Sequence, residues 1–168
     1  EPEWQLALHD TLLDTGAECG LRHFGGRALQ SLRVEKGFGS WTQEYTPDYT
    51  PWEAEMGRFV KLAKGDFIGR AAAAETQHSP RYALVLLEIA VDDADAIGDE
   101  PVFCGDEVVG FVTSGAYGHT VGKSLALAYV ASEMSQSAEF AVEILGERRA
   151  ALWLTEVAVD PSGARLRS

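Results

Sequence analysis

Cysteine is scarce in this chain: Cys19 and Cys104 are the two present among 168 residues. They lie far apart with no CxxC spacing, which excludes a disulfide framework and a thiolate zinc site and suits a cytosolic, reducing setting. Cations are scarce as well, 14 Lys and Arg against 26 Asp and Glu, for a net charge of −12. Nucleic acid and anionic membranes are held through clustered cations, so general electrostatics oppose both partners. Long apolar runs are missing too. The longest, Ala83 to Ala90, is broken by Glu88 and falls well short of the roughly 20 residues a bilayer span needs. The N-terminus, Glu1-Pro2-Glu3-Trp4, has neither the positive region nor the apolar core of a signal peptide.

What remains is enough for a core: 46% of the residues are hydrophobic, and a chain of this length forms one domain or two small ones. Trp4, Leu8, Leu12 and Leu13 recur near helical spacing, and Gly20 follows as a stop, which predicts an amphipathic helix over 4–19. A second helix is expected over 27–35, with Leu29 and Leu32 on one face and Gly37 beyond its end. From Gly37 to Pro51 the glycines, prolines and aromatics Phe38, Trp41, Tyr45 and Tyr49 favour an ordered loop of the kind that walls ligand sites. Residues 57–62 read as a short strand, 66–69 as a turn, and Ala71 to Ala74 as a helix start.

After Pro80 the pattern changes. Segments 82–90, 107–113, 123–130, 139–145 and 150–159 are β-branched or alternating and are separated by Gly, Asp and Ser, which predicts strands. Short strands without long intervening helices imply a small antiparallel barrel or sandwich. The fold class is therefore α+β, with a domain expected over 1–78 and a barrel over 79–168.

Several side chains could carry chemistry. Glu35 can accept two parallel hydrogen bonds from an amino-pyrimidine edge, or can be an exposed helical carboxylate paired with Arg33 or Lys36. Glu53, after Thr50-Pro51-Trp52, is either a ligand contact or a helix-start residue. Lys61, Lys64 and Arg70 gather near Asp66, as an anion site or as a solvated turn. Gly115 to Ser124 ends in Gly-Lys-Ser, but Tyr117 occupies the place of the first Walker glycine and a strand follows, so no phosphate loop is present. His119 has no partner at ligand spacing, no metal site is expected, and no Ser-His-Asp set is supported.

Leu32-Arg33-Val34-Glu35-Lys36-Gly37, Thr50-Pro51-Trp52-Glu53-Ala54, Asp66-Phe67-Ile68-Gly69-Arg70 and the pair Val112-Thr113-Ser114-Gly115 and Lys123-Ser124-Leu125-Ala126-Leu127-Ala128-Tyr129-Val130 stand in an order that resembles the C-terminal half of the glycine-cleavage T-protein (aminomethyltransferase) family. The branch fused to sarcosine and dimethylglycine dehydrogenases is most similar. The resemblance runs from about Leu8 to Val159 and implies a partial T-protein-like α/β segment followed by a small antiparallel β-barrel. It implies tetrahydrofolate as cofactor, with Glu35 on the pterin, Arg33 orienting Glu35 or the local backbone, and Glu53 lining a central channel. Arg70 and Lys61 become candidates for the folate tail, and Tyr117 for the cleft.

At Met56-Gly57-Arg58-Phe59 the chain departs from the family, placing a cation where an apolar residue is usual. No segment answers to the aspartate that the family's N-terminal half carries, and no G-x-G-x-x-G fingerprint is present, so FAD is expected only in another domain of a parent protein. The expected partners are folate, a methylated glycine as the parent's substrate, and a catalytic flavin domain or subunit. The competing reading is a structural and interaction module that packs against such a domain. A relative serving in tRNA modification or iron-sulfur assembly is a third, opposed for direct RNA binding by the net charge.

Overall fold

The computed structural model describes residues 2–134 and 139–167. Three helices precede six strands: α1 (Gln5–Gly16), α2 (Gly26–Glu35), α3 (Arg70–Thr76), β1 (Tyr82–Ile89), β2 (Pro101–Cys104), β3 (Glu107–Gly118), β4 (Lys123–Ala131), β5 (Phe140–Ile144) and β6 (Glu147–Leu154). The strands close into an antiparallel barrel in the order β1-β4-β3-β2-β5-β6, with β6 pairing back onto β1 through Leu86 to Leu154 and Ile89 to Ala151. Closure leaves no strand at an open sheet edge among the described residues.

The α+β class and the barrel match the expectation, and the elements differ in detail: the last strand runs over Glu147–Leu154 where 150–159 was expected. Residues 57–62 form no strand but a 3₁₀ turn at Gly57–Phe59, because Gly57 and the flanking loop supply no strand partner. β2 was not legible as a strand, being four residues led by a proline. β3 extends five residues past Thr113, since the hairpin turn begins only after Gly118.

Strand β4 is buried along nearly its whole length. Its alternation sends Ala126, Ala128 and Val130 into the barrel with Val85, Leu87, Val112, Phe140 and Val142. Leu125 and Leu127 point outward onto Val34 of α2 and Leu86. Both faces of this strand are thus core, one inside the barrel and one beneath the helical layer.

The two helices behave differently from a simple amphipathic reading. No residue of α1 is buried, so its apolar stripe has no cover among the described residues. In α2 the inward face is Ser31, Val34 and Glu35, while Leu29 and Leu32 stand 54% and 55% exposed. The leucines point out and a carboxylate points in, because the barrel surface beneath α2 offers hydrogen-bond donors as well as methyl groups.

Among the described residues no helix is long and apolar enough to cross a membrane. Cys19 and Cys104 form no disulfide.

Candidate functional site

Three glutamates, Glu35, Glu44 and Glu53, are 2%, 0% and 1% exposed. Each fastens the stretch between α2 and β1 to the barrel. A buried carboxylate must find donors for its lone pairs, and the placement of those donors fixes the chain.

Glu35 ends α2 against the β3–β4 turn. Its Oε1 accepts from the Thr120 and Val121 N–H groups at 2.6 and 3.3 Å, and its Oε2 accepts from the Thr120 hydroxyl at 2.7 Å. Both oxygens of Glu35, expected from sequence to face a ligand's amino edge, accept from protein donors here. The adjoining Lys36 and Gly37 line a cavity against the C-terminal segment. Gly37 has φ +65°, and a Cβ there would lie 2.6 Å from Val157; the glycine of the Leu-Arg-Val-Glu-Lys-Gly run is required by a left-handed turn tight against the C-terminal segment.

Glu53 closes a single helical turn. Thr50 N–H donates to its Oε2 at 2.7 Å and Glu53 N–H donates to Thr50 Oγ1 at 3.3 Å, the reciprocal pair of a capping box. Its Oε1 accepts from the Arg81 N–H and Nε at 2.9 and 3.0 Å, just ahead of β1. Burial alone would push this carboxyl up, but the bonds from Arg81 and Thr50 outweigh it and hold the pKa at about 2. Of the two readings open for Glu53, the geometry matches the helix-start role.

Arg33 does not orient Glu35. It pairs with Glu44 at 3.2 Å and donates to the Phe38 carbonyl at 2.7 Å and to Ser114 Oγ at 2.7 Å, so its orienting role falls on the local backbone and on a carboxylate the sequence did not single out. The only signal for Glu44 was its place amid the aromatics of the 37–51 loop. Tyr129 donates its hydroxyl to the Glu44 carbonyl at 2.7 Å while its ring stacks on Tyr49 at 3.7 Å. Burial, then the Tyr49 neighbour, pushes the Tyr129 hydroxyl up, so it stays a donor.

The remaining candidates are dispersed. Lys61 and Arg70 are exposed, and Arg70 Nε donates to the Leu62 carbonyl at 2.9 Å. Tyr117 sits on β3 with its ring edge-on to His119, and its carbonyl accepts from Ser31. Among the described residues no His, Cys, Asp and Glu group could hold a metal ion.

A cavity of about 590 Å³ opens between the 36–58 segment, the outer barrel face and the C-terminal segment. Leu84, Leu86 and Leu127 form its floor, Phe38, Tyr45 and Trp153 its aromatic walls, and Lys36, Arg58 and Arg167 its cations. None of the six side chains expected from sequence lines it. Lys36 Nζ bonds Asp160 Oδ2 at 3.0 Å and clasps the C-terminal wall, with Val159 N–H on the Glu35 carbonyl at 3.1 Å. The Lys36 bond, more than burial opposes it, holds Asp160 below the usual carboxylate range.

Residues 83–160 match the glycine cleavage T-protein C-terminal barrel domain and residues 1–64 the GCVT N-terminal domain. Human mitochondrial dimethylglycine dehydrogenase is 38% identical over 98% of this chain and 20% of its own length. An aminomethyltransferase of Moorella thermoacetica is 38% identical over 80% of this chain and 37% of its own. The crystal structure of glycine cleavage system aminomethyltransferase T from Bartonella henselae superposes with a TM-score of 0.79 at 26% identity, covering 94% of this chain and 44% of that one. The chain thus spans about a fifth of the dehydrogenase and under half of the transferases. With both domain models matched in order and the barrel in place, the chain belongs to the glycine cleavage T-protein family, with dimethylglycine dehydrogenase and aminomethyltransferase among its relatives.

Proposed function

We propose that this chain is the folate-binding portion of a one-carbon-transfer enzyme of the dimethylglycine or sarcosine dehydrogenase or aminomethyltransferase type, with a reduced folate seated in the 590 Å³ cavity. One observation carries the reading. In a chain of net charge −12, the cavity gathers three cations, Lys36, Arg58 and Arg167, against two carboxylates, Glu55 and Glu156, beside Phe38, Tyr45 and Trp153. Cations suit the carboxylates of the folate tail, and aromatic faces suit a flat ring.

Arg58 then gains a purpose: the cation at the place where the family more often has an apolar residue faces the cavity. Reduced folate, when bound, supplies the amine nitrogen that takes up a one-carbon unit. The chain's own residues bind and orient it: the wall carries the aromatic and cationic contacts, and Glu35 and Glu53 hold that wall to the barrel. A methylated glycine and an FAD-bearing domain belong to the dehydrogenase form of this proposal.

Calorimetry with tetrahydrofolate tests it. Arg58→Ala and Arg167→Ala are each expected to weaken binding about tenfold, in line with the loss of a charged contact. Unchanged affinity in both would remove the cavity from the site, and no binding by the unaltered chain would remove folate.

The exposed apolar side chains Trp4, Leu8, Leu12, Phe24, Leu29 and Leu32 favour a second reading, an interaction module packing against a catalytic domain. Light scattering separates the two, since such a face predicts self-association of the isolated chain.

A further inference from the structure

We infer that Glu44 is a positioning residue for the cavity: fastened to a bulge in β3 and to Arg33, its carboxylate sets the places of Phe38 and Tyr45 on the cavity wall. The inference deepens the proposed site and rests on the cavity being where ligand binds.

Glu44 Oε1 accepts from the Thr113 hydroxyl at 2.6 Å and meets the Ser114 hydroxyl, while Oε2 accepts from the Ser40 N–H at 2.7 Å and Arg33 Nη1 at 3.2 Å. Adjacent strand residues ordinarily point to opposite faces. Here the register shifts between Val112 and Ser114, and the bulge turns both hydroxyls toward one carboxylate.

The loop closes around that group. Arg33 Nη1 donates also to the Phe38 carbonyl at 2.7 Å, and the Gly39 N–H donates to the Tyr45 hydroxyl at 3.0 Å. A Cβ on Gly39 would lie 2.5 Å from the Tyr45 ring, so the two ends of the loop touch. Phe38 and Tyr45 line the cavity, whereas Glu44 does not. It acts on the site through them.

The groups facing Glu44 Oε2, the Ser40 N–H and Arg33 Nη1, can only donate, whereas the Thr113 and Ser114 hydroxyls facing Oε1 also lie within bonding distance of the Leu127 carbonyl and Gln43 Oε1. Glu44→Gln keeps the volume but removes the charge paired with Arg33 and replaces an acceptor oxygen with an NH₂, and so tests the carboxylate apart from packing. The control is Val142→Ala, a barrel-interior residue remote from the wall, with variants compared at equal loss of thermal midpoint. Hydrogen exchange on the full chain is expected to quicken about tenfold across residues 37–45 in Glu44→Gln, with β1 and β5 unchanged, and to spread over the barrel strands in Val142→Ala. Tetrahydrofolate affinity is expected to fall about tenfold in Glu44→Gln and less than about twofold in the control.

Exchange that rises uniformly, or affinity that follows the thermal midpoint equally in both variants, would overturn the inference. If the unaltered chain binds no folate while the local exchange pattern appears, the folate reading fails and the positioning role stands. Should Glu44→Gln not fold, Ser114→Ala and Thr113→Val each remove one donor, and the same local pattern is expected from them, with its absence counting against the role.

Discussion

The barrel interior and the seam outside it bury side chains of opposite character. Inside, Val85, Leu87, Val112, Ala126, Ala128, Val130, Phe140 and Val142 form a continuous apolar cluster. Outside, where residues 31–56 lie on the barrel, Glu35, Glu44 and Glu53 are buried just as deeply. Apolar contact is non-directional, so the interior fixes volume and stability without dictating the angle of each partner. Hydrogen bonds to a buried carboxylate are directional and costly to leave unmade, so the seam fixes where the loop runs. The cavity is built on the seam.

The largest expected effect belongs to the interior. Leu87→Ala, at a fully buried position, should cost about 2–5 kcal/mol by thermal or denaturant unfolding. Its loss should be flat with pH from 3 to 7 on the order of the measurement error, because no titrating group is removed. A pH-dependent loss would break the contrast between the two regions.

The seam should show the opposite signature. Glu53 is held at about 2 against an ordinary value of 4.5, so the unfolded chain takes up the proton first as pH falls. Its contribution is complete above about pH 4.5 and fades toward pH 2, by on the order of 2 kcal/mol once the exposure of Arg81 is discounted. Glu53→Gln should flatten that part of the acid-unfolding curve. An unchanged acid limb would mean that the seam's charges do not hold the loop.

Smallest is a surface pair on the barrel, Arg148 with Asp106 at 3.0 Å, where Asp106 is fully exposed. Asp106→Ala should change stability by less than about 0.5 kcal/mol, since exposed ion pairs are screened and hold two flexible chains. A larger loss would show that directional contacts matter outside the seam too.

Much of this was legible in the chain. Alternation in 82–90 and 123–130 announced strands, the glycine at 37 announced a turn, and the ordered run of motifs announced the family. The Thr50-Pro51-Trp52-Glu53 block could be read as a helix start, and the structure shows its reciprocal caps. What was illegible follows one rule: the role of a charged residue depends on what covers it. The sequence neighbours of Glu35 do not reveal its bond to Thr120, 85 residues on. Glu44 passed unremarked because its donors come from three separate segments. Lys61 and Arg70 cluster in sequence yet stay on the surface, while Lys36, Arg58 and Arg167 meet across the fold.

By itself, then, the sequence determined the α+β order, the strand periods, the net charge and the family, all of which are local or cumulative properties of the chain. Only the tertiary structure decided that the leucines of α2 face out and its glutamate faces in, that a bulge aims Thr113 and Ser114 at one carboxylate, and that cations 131 positions apart share a cavity. Barrel closure brings together donors and acceptors that have no relation in sequence, and burial then forces them to pair.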